Sequence, residues 1–193
     1  TLGDDMQVNH PEDFVSWTFR KAPGFFDVVT WTGTNDGTRI PHNLGSLPGM
    51  IIVKNLDSSV DWKVYAKKEM WIDGETYAYY KLSLNNINQS TETVANIANT
   101  DTFNPQSMGS EASGTNYIAY LFADDDARFG TNGDESIIKC GIYTGNASTD
   151  GPEIDLGFEP QFLLYKNTDQ ATNWEMIDFM RGMPNPGAAS NTY

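Results

Sequence analysis

Apolar and polar residues alternate at short range along much of the chain, the period-two pattern of strands with one or both faces covered. Phe26, Val28 and Thr30 share one face of an extended stretch, and Phe25, Val29 and Trp31 share the other. Both faces of this strand are therefore expected to be largely buried. Four further runs, Met50 to Asn55, Trp62 to Ala66, Tyr77 to Leu84 and Tyr117 to Ala123, are rich in β-branched and aromatic residues and predict strands of their own. Between them, Thr34-Asn35-Asp36-Gly37 reads as a hairpin turn in which glycine supplies the positive φ, and Leu47-Pro48-Gly49 fixes a bend before a strand. Residues 86–99 carry Val94, Ile97 and Ala98 at roughly helical spacing, but their Asn and Thr content suits a loop equally well. The pattern predicts an all-β protein built as an antiparallel β-sandwich, lectin-like or jelly-roll-like, with the strand order left open.

A shift of 112 positions superposes one part of the chain on another without a gap. From Trp31 to Val64 the identities are Thr32, Gly33, Leu44, Gly45, Pro48, Lys54, Asn55, Asp57 and Trp62, matched by Thr144, Gly145, Leu156, Gly157, Pro160, Lys166, Asn167, Asp169 and Trp174. That is nine in 34 positions, where ordinary residue frequencies give about two. A shift of 103 pairs Phe14-Val15-Ser16-Trp17-Thr18-Phe19 with Tyr117-Ile118-Ala119-Tyr120-Leu121-Phe122, which places the last strand of one unit ahead of the first strand of the next. The expected organisation is therefore tandem. Residues 1–22 are the tail of a preceding β unit, 23–123 a complete β-sandwich unit, and 124–193 the first part of a second, homologous unit. With no initiator Met, the chain reads as a window on a longer polypeptide, truncated at both ends.

Charge narrows the partners. Twelve Lys and Arg against 26 Asp and Glu leave a net charge of −14, which repels a polyphosphate partner and argues against nucleic-acid binding. Apolar runs such as Met50 to Val53 fall far short of the roughly 20 residues of a membrane helix, and residues 1–9 contain nothing that reads as a signal peptide. A single cysteine, Cys140, allows no internal disulfide.

One string of residues carries a resemblance. Trp17-Thr18-Phe19-Arg20-Lys21-Ala22-Pro23-Gly24-Phe25-Phe26-Asp27-Val28-Val29, followed by Thr32-Gly33, Ile40-Pro41-His42-Asn43-Leu44-Gly45 and Pro48-Gly49-Met50-Ile51-Ile52-Val53-Lys54, resembles an uncharacterised β-domain that recurs in tail-fibre and other virion proteins of marine tailed bacteriophages. Tyr117 to Ala123 is similar to the strand that closes that domain, and Trp62-Lys63-Val64-Tyr65 to its middle. The second copy matches more loosely, with Glu159-Pro160-Gln161 where the pattern has Pro-Gly. The resemblance implies a virion location and a structural role, as a tail-fibre or appendage subunit that attaches to the host surface. It implies no active site and no cofactor. By analogy with phage fibres it also implies a homotrimer in contact with other virion proteins, with a host-surface glycan as a possible ligand and no membrane insertion. The alternatives are a capsid or tail decoration protein without a receptor role, and a tail enzyme that degrades polysaccharide.

Individual candidates follow from side-chain chemistry. Trp71, Tyr77, Tyr79 and Tyr80 are the sugar-binding candidates, because a flat ring stacks on the apolar face of a pyranose. Asp124, Asp125 and Asp126, with Asp134 and Glu135 close behind, are the weak calcium candidate, since hard oxygens on a Gly-containing loop suit that ion although no EF-hand spacing is present. His42 has Ile154 as its counterpart and no nucleophile or metal-ligand partner at a recognisable spacing, which makes it a turn-packing residue. Cys140, in the strand-like stretch Ile137 to Tyr143, reads as an inert small hydrophobe, with Lys139 on the opposite face. Gly45, Pro48 and Trp62, with Gly157, Pro160 and Trp174, read as corners and packing anchors of a shared scaffold. No residue is assigned a catalytic role.

Overall fold

The computed structural model describes residue 16 and residues 18–70, 77–84 and 93–179. Among these the chain is all-β, without a helix, and its strands form three antiparallel sheets. The largest has six strands: β1 (Phe26–Thr32), β3 (Pro48–Asn55), β4 (Lys63–Met70), β5 (Tyr77–Ser83), β6 (Thr93–Ala95) and β8 (Asn116–Ala123). They are ordered β1-β8-β3-β4-β5-β6. The short strands β2 (Ile40–Pro41) and β7 (Thr102–Phe103) pair with each other, and β9 (Phe162–Tyr165) pairs with β10 (Glu175–Asp178).

The last strand of the large sheet in sequence, β8, is a central one in space. It is antiparallel to β1 on one side and to β3 on the other, with Leu121 opposite Asp27 and Ile51. Its alternation explains why it can sit there. Tyr117, Ala119, Leu121 and Ala123 are buried on one face, while Ile118, Tyr120 and Phe122 are half-buried on the other. A strand covered on both faces suits the middle of a sheet.

On the inner face, Trp31 and its cross-strand partner Tyr117 stack with ring centroids 5.2 Å apart, and Phe103 meets Trp31 edge-on at 5.2 Å. Ile51, Val53, Tyr65 and Tyr79 from the sheet, with Leu44, Ile97, Phe103 and Met108 from the connections, complete this core. Each large side chain fully buried here contributes about 1.5–3 kcal/mol relative to exposure. The polar ends of its aromatics are satisfied: the Tyr65 hydroxyl donates to the Met108 carbonyl at 2.6 Å, that of Tyr79 to Pro48 at 2.8 Å, and the Trp31 indole N–H to Ser110 at 3.1 Å.

The opposite, outer face holds a second cluster. Ile52, Val64 and Leu82 are its buried members, flanked by Met50, Trp62, Tyr80, Tyr120, Phe122 and, from far along the chain, Trp174. The Trp174 indole N–H donates to the Ser83 carbonyl at 2.7 Å, which ties the segment before β10 to β5.

The β9–β10 hairpin repeats the β3–β4 hairpin residue for residue at the 112-position shift. Met50, Ile51, Ile52 and Val53 face Ala66, Tyr65, Val64 and Lys63, and Phe162, Leu163, Leu164 and Tyr165 face Asp178, Ile177, Met176 and Glu175. The glycine ahead of each hairpin has the same left-handed conformation, with φ 68° at Gly45 and 76° at Gly157. Earlier still, Asn35 and Ala147 correspond at the same shift and both have positive φ, 58° and 54°.

Two expectations are modified. Ile137 to Tyr143, with its strand-like pattern, forms no strand, because among the described residues no neighbouring strand offers it hydrogen bonds. Within 86–99, the part with helical spacing includes β6, Ala98 bridges to Phe103, and 86–92 lie outside the described residues.

Candidate functional site

The outer face of the large sheet is incompletely covered. A groove of about 450 Å³ runs over it, floored by Phe26, Val28, Ile52, Tyr120 and Phe122 and edged by Phe19, Trp62 and Leu84. Its rings come from alternation in β1 and β8: Phe26 and Phe122 are cross-strand partners with centroids 4.9 Å apart, and Phe26 and Tyr120 stack at 6.4 Å. Phe19 lies across one end, 5.6 Å from Phe26 and 6.0 Å from Phe122, and its far side meets Phe162 of β9 at 6.4 Å. Beside the groove, Trp62 and Tyr120 share a second recess with Lys54, Asn55, Asp57 and Ser58. Ring faces next to amide, carboxylate and hydroxyl groups can accept an amphipathic ligand.

Several titratable groups, buried or half-buried, hold turns. Asp27 accepts hydrogen bonds from the Asn43 amide at 2.8 Å and the Val28 amide at 2.9 Å and pairs with Lys21 at 3.0 Å. Burial pushes its carboxyl upward, but the Asn43 amide, Lys21 and the Val28 amide outweigh that and leave it below the ordinary carboxylate value. His42 takes a hydrogen bond from the Leu44 amide on Nδ1 at 3.3 Å, so Nε2 carries the proton and donates to the Asn99 carbonyl at 3.1 Å. Burial holds its pKa below the usual histidine value. Glu111 accepts from the amides of Asp36 and Gly37 at 3.2 and 2.7 Å and so fastens the 34–37 turn. Lys63 donates to the Met108 carbonyl at 3.2 Å and to the Ser110 hydroxyl at 3.4 Å, and burial lowers its pKa.

The sequence-derived candidates are scattered by the fold. Tyr79 is fully buried in the inner core, so it offers no platform to a sugar. Tyr80 lies on the outer face, half-buried, with the Lys68 ammonium 5.3 Å from its ring centroid. Tyr77 pairs with Met70 at the start of β5, and Trp71 lies outside the described residues. Missing from those candidates were Phe19 and Tyr120; for Tyr120 the available signal was its alternation with the inward Ala119 and Leu121.

The acidic stretch after β8 is tied to cations in different directions. Asp124 pairs with Lys67 and accepts from the Cys140 amide at 2.9 Å, Asp125 lies 3.4 Å from Lys139, Asp126 lies 2.5 Å from Arg128, and Asp134 is exposed. The Ser136 hydroxyl, before Lys139, holds the Asp125 carboxyl below its ordinary value. Among the described residues no group of three His, Cys, Asp or Glu is placed to hold a metal ion. Arg128 also donates to the Gly45 carbonyl at 3.0 Å, which anchors this segment to the loop before β3.

Cys140 packs against β3. A Cβ on Gly49 would stand 2.6 Å from the Cys140 Cβ and 2.8 Å from its sulfur, so only glycine allows this approach. Burial, and after it the nearby Asp124 carboxylate, pushes the thiol up to about 12.

Antiparallel sheets, turn-holding polar groups and an aromatic groove define an all-β protein in its described part. The chain belongs to the family described as a domain of unknown function, DUF7483, whose model matches residues 13–192. No curated protein and no solved structure matches it.

Proposed function

We propose that the chain is a structural component of a bacteriophage virion, a tail-fibre or appendage subunit in which one β-sandwich unit is repeated in tandem and outer loops meet the host surface. The observation that carries this reading is the recurrence of the β3–β4 hairpin, register for register, in β9–β10. Residues shared by the two hairpins serve turns and packing: Lys54 donates to the Val60 carbonyl, and Lys166 to that of Thr172. The resemblance of Trp17 to Lys54 to a virion β-domain supplies the setting, and a homotrimer is the assembly it suggests. A host glycan would meet the recess beside Trp62 and Tyr120, where rings adjoin Asn55 and Asp57.

Mass spectrometry of gradient-purified particles of the encoding phage, with immunogold labelling, tests this reading. The expected result is the chain at stoichiometric level on tails or appendages. Its confinement to the soluble fraction of infected cells would overturn the proposal.

A further inference from the structure

Asn132 and Gly133 form the only Asn-Gly pair in the sequence. They lie at the tip of a tight hairpin. Phe129 and Glu135 bridge antiparallel, each donating its amide to the other's carbonyl at 3.0 Å. Gly130 and Gly133 both take the left-handed conformation, with φ 77° and 71°, which lets the chain turn so sharply. Residues 130–135 are exposed.

The tip leaves the Gly133 nitrogen open to the side chain that precedes it. Glycine has no side chain to shield that nitrogen, and a Cβ on Gly133 would meet nothing within 4 Å. The Gly133 N–H donates only a long bond, to the Gly130 carbonyl at 3.3 Å. Among the described residues the Asn132 side-chain amide makes no hydrogen bond that would hold it away. Other asparagines lack this freedom. The side-chain oxygens of Asn55, Asn99, Asn104 and Asn167 accept from backbone amides two residues on, and Leu, Thr, Pro and Thr follow them.

We propose that Asn132 is a site of spontaneous deamidation, with water as the co-reactant, and that the isoaspartyl product opens the 129–135 hairpin. The Gly133 nitrogen, giving its proton to solvent, bonds to Asn132 Cγ, and the Cγ–Nδ2 bond breaks as ammonia leaves with a proton from water. Water then opens the cyclic imide, and no atom changes oxidation state in either step. Addition at Cγ breaks the new bond and gives aspartate. Addition at the main-chain carbonyl carbon breaks the original peptide bond and gives isoaspartate, whose backbone runs through Cβ and Cγ.

Both products place a new carboxylate beside Asp134 and Glu135. Only isoaspartate lengthens the backbone, by one carbon, and this loop has no slack: a Cβ on Gly130 would stand 2.3 Å from the Glu135 carboxyl carbon. The mutual bonds of Phe129 and Glu135 depend on the loop length and are the ones that give way. Next to the hairpin, Arg128 holds the Gly45 carbonyl and the Ile138 carbonyl accepts the Asp125 amide at 3.0 Å. Opening therefore loosens the connection from β8 to β9.

Peptide mapping by mass spectrometry, with isoaspartyl methyltransferase labelling, tests the site in the full chain held at pH 8 and 37 °C, folded and in guanidinium chloride. The folded chain is expected to convert at Asn132 at a rate within about tenfold of the unfolded chain, and Asn132→Gln to abolish the gain in mass of that peptide. A folded rate more than tenfold below the unfolded one, or faster conversion at another asparagine of the folded chain, would overturn the site. Hydrogen exchange tests the opening. In the isoaspartyl form the Phe129 and Glu135 amides are expected to exchange about tenfold faster, with Ile51 and Leu121 unchanged, whereas Asn132→Asp, which adds the charge without the extra carbon, is expected to exchange as the wild type does. Unchanged exchange at Phe129 and Glu135, or equal acceleration in Asn132→Asp, would overturn opening by the lengthened backbone.

Discussion

Asn55 and Asn167, 112 positions apart, close their hairpin loops with the same pair of hydrogen bonds. The Asn55 side-chain oxygen accepts from the amides of Asp57 at 2.9 Å and Ser58 at 3.1 Å, and that of Asn167 from the amides of Asp169 at 2.8 Å and Gln170 at 3.0 Å. In each loop the next amide turns inward as well, Val60 to the Ser58 carbonyl and Thr172 to the Gln170 carbonyl, both at 3.0 Å. Such Asx turns select the loop conformation that returns the chain at the right register.

Replacing Asn55 by Ala removes both loop bonds and is expected to destabilise the protein by about 1–3 kcal/mol, at a net of about 0.5–1.5 kcal/mol per bond. Asn55→Asp keeps the acceptor and is expected to recover most of the loss. Urea unfolding followed by tryptophan fluorescence measures both, and an unchanged midpoint for the Ala variant would count against the turn.

His42 gives the fold a defined pH response. It is neutral when folded, with its pKa lowered by burial, and unfolding restores the ordinary value of about 6.5. The unfolded chain therefore binds the proton first, and stability is lost as pH falls through about 6.5 toward the lower folded value. Asp27, whose folded pKa is depressed, loses its contribution progressively as pH falls through the unfolded value of 3.8 toward the lower folded value. Asp101 and Arg39, also near His42, act on it in opposite directions. His42→Ile, which installs the residue found at position 154, is expected to flatten the change in stability between pH 7 and pH 5. It also costs about 1–2 kcal/mol at pH 7, because the Leu44 amide and the Asn99 carbonyl lose their partner. A variant that retains the full pH slope would exclude His42 as its source.

Gly49→Ala forces a methyl group into Cys140 and the Asp124 Cβ and is expected to cost about 1–3 kcal/mol. Cys140 itself, with its thiol pushed up to about 12, is expected to react with a thiol reagent at neutral pH only after unfolding. In Gly49→Ala the displaced thiol should react at least tenfold faster. Equal labelling rates in the folded wild type and in denaturant would refute the packing.

Strands announced themselves wherever alternation was strong. The predicted runs at Met50, Trp62, Tyr77 and Tyr117 coincide with β3, β4, β5 and β8 to within a few residues, because a period of two is imposed locally by the pleat. What joins them is not local. Nothing in Tyr117 to Ala123 specifies that β8 lies between β1 and β3, since that depends on which edges are free when it arrives. Ile137 to Tyr143 makes the same point in reverse, as a strand pattern left unpaired. Burial also escapes composition: Tyr79 and Tyr80 are neighbours with opposite fates, one sealed in the inner core and the other on the outer face. The acidic run misled for a similar reason, as Lys67, Lys139 and Arg128 come from three different places to neutralise it.

The placement of β8 has a consequence for biosynthesis. Trp31 emerges from the ribosome long before Tyr117, the ring it stacks on, so β1 stays without its partner strand and the ladder that begins at β3 keeps a raw edge until β8 has been made. Nascent chains stopped short of Ala123 would carry both edges uncovered, and in a crowded assembly those edges would find each other.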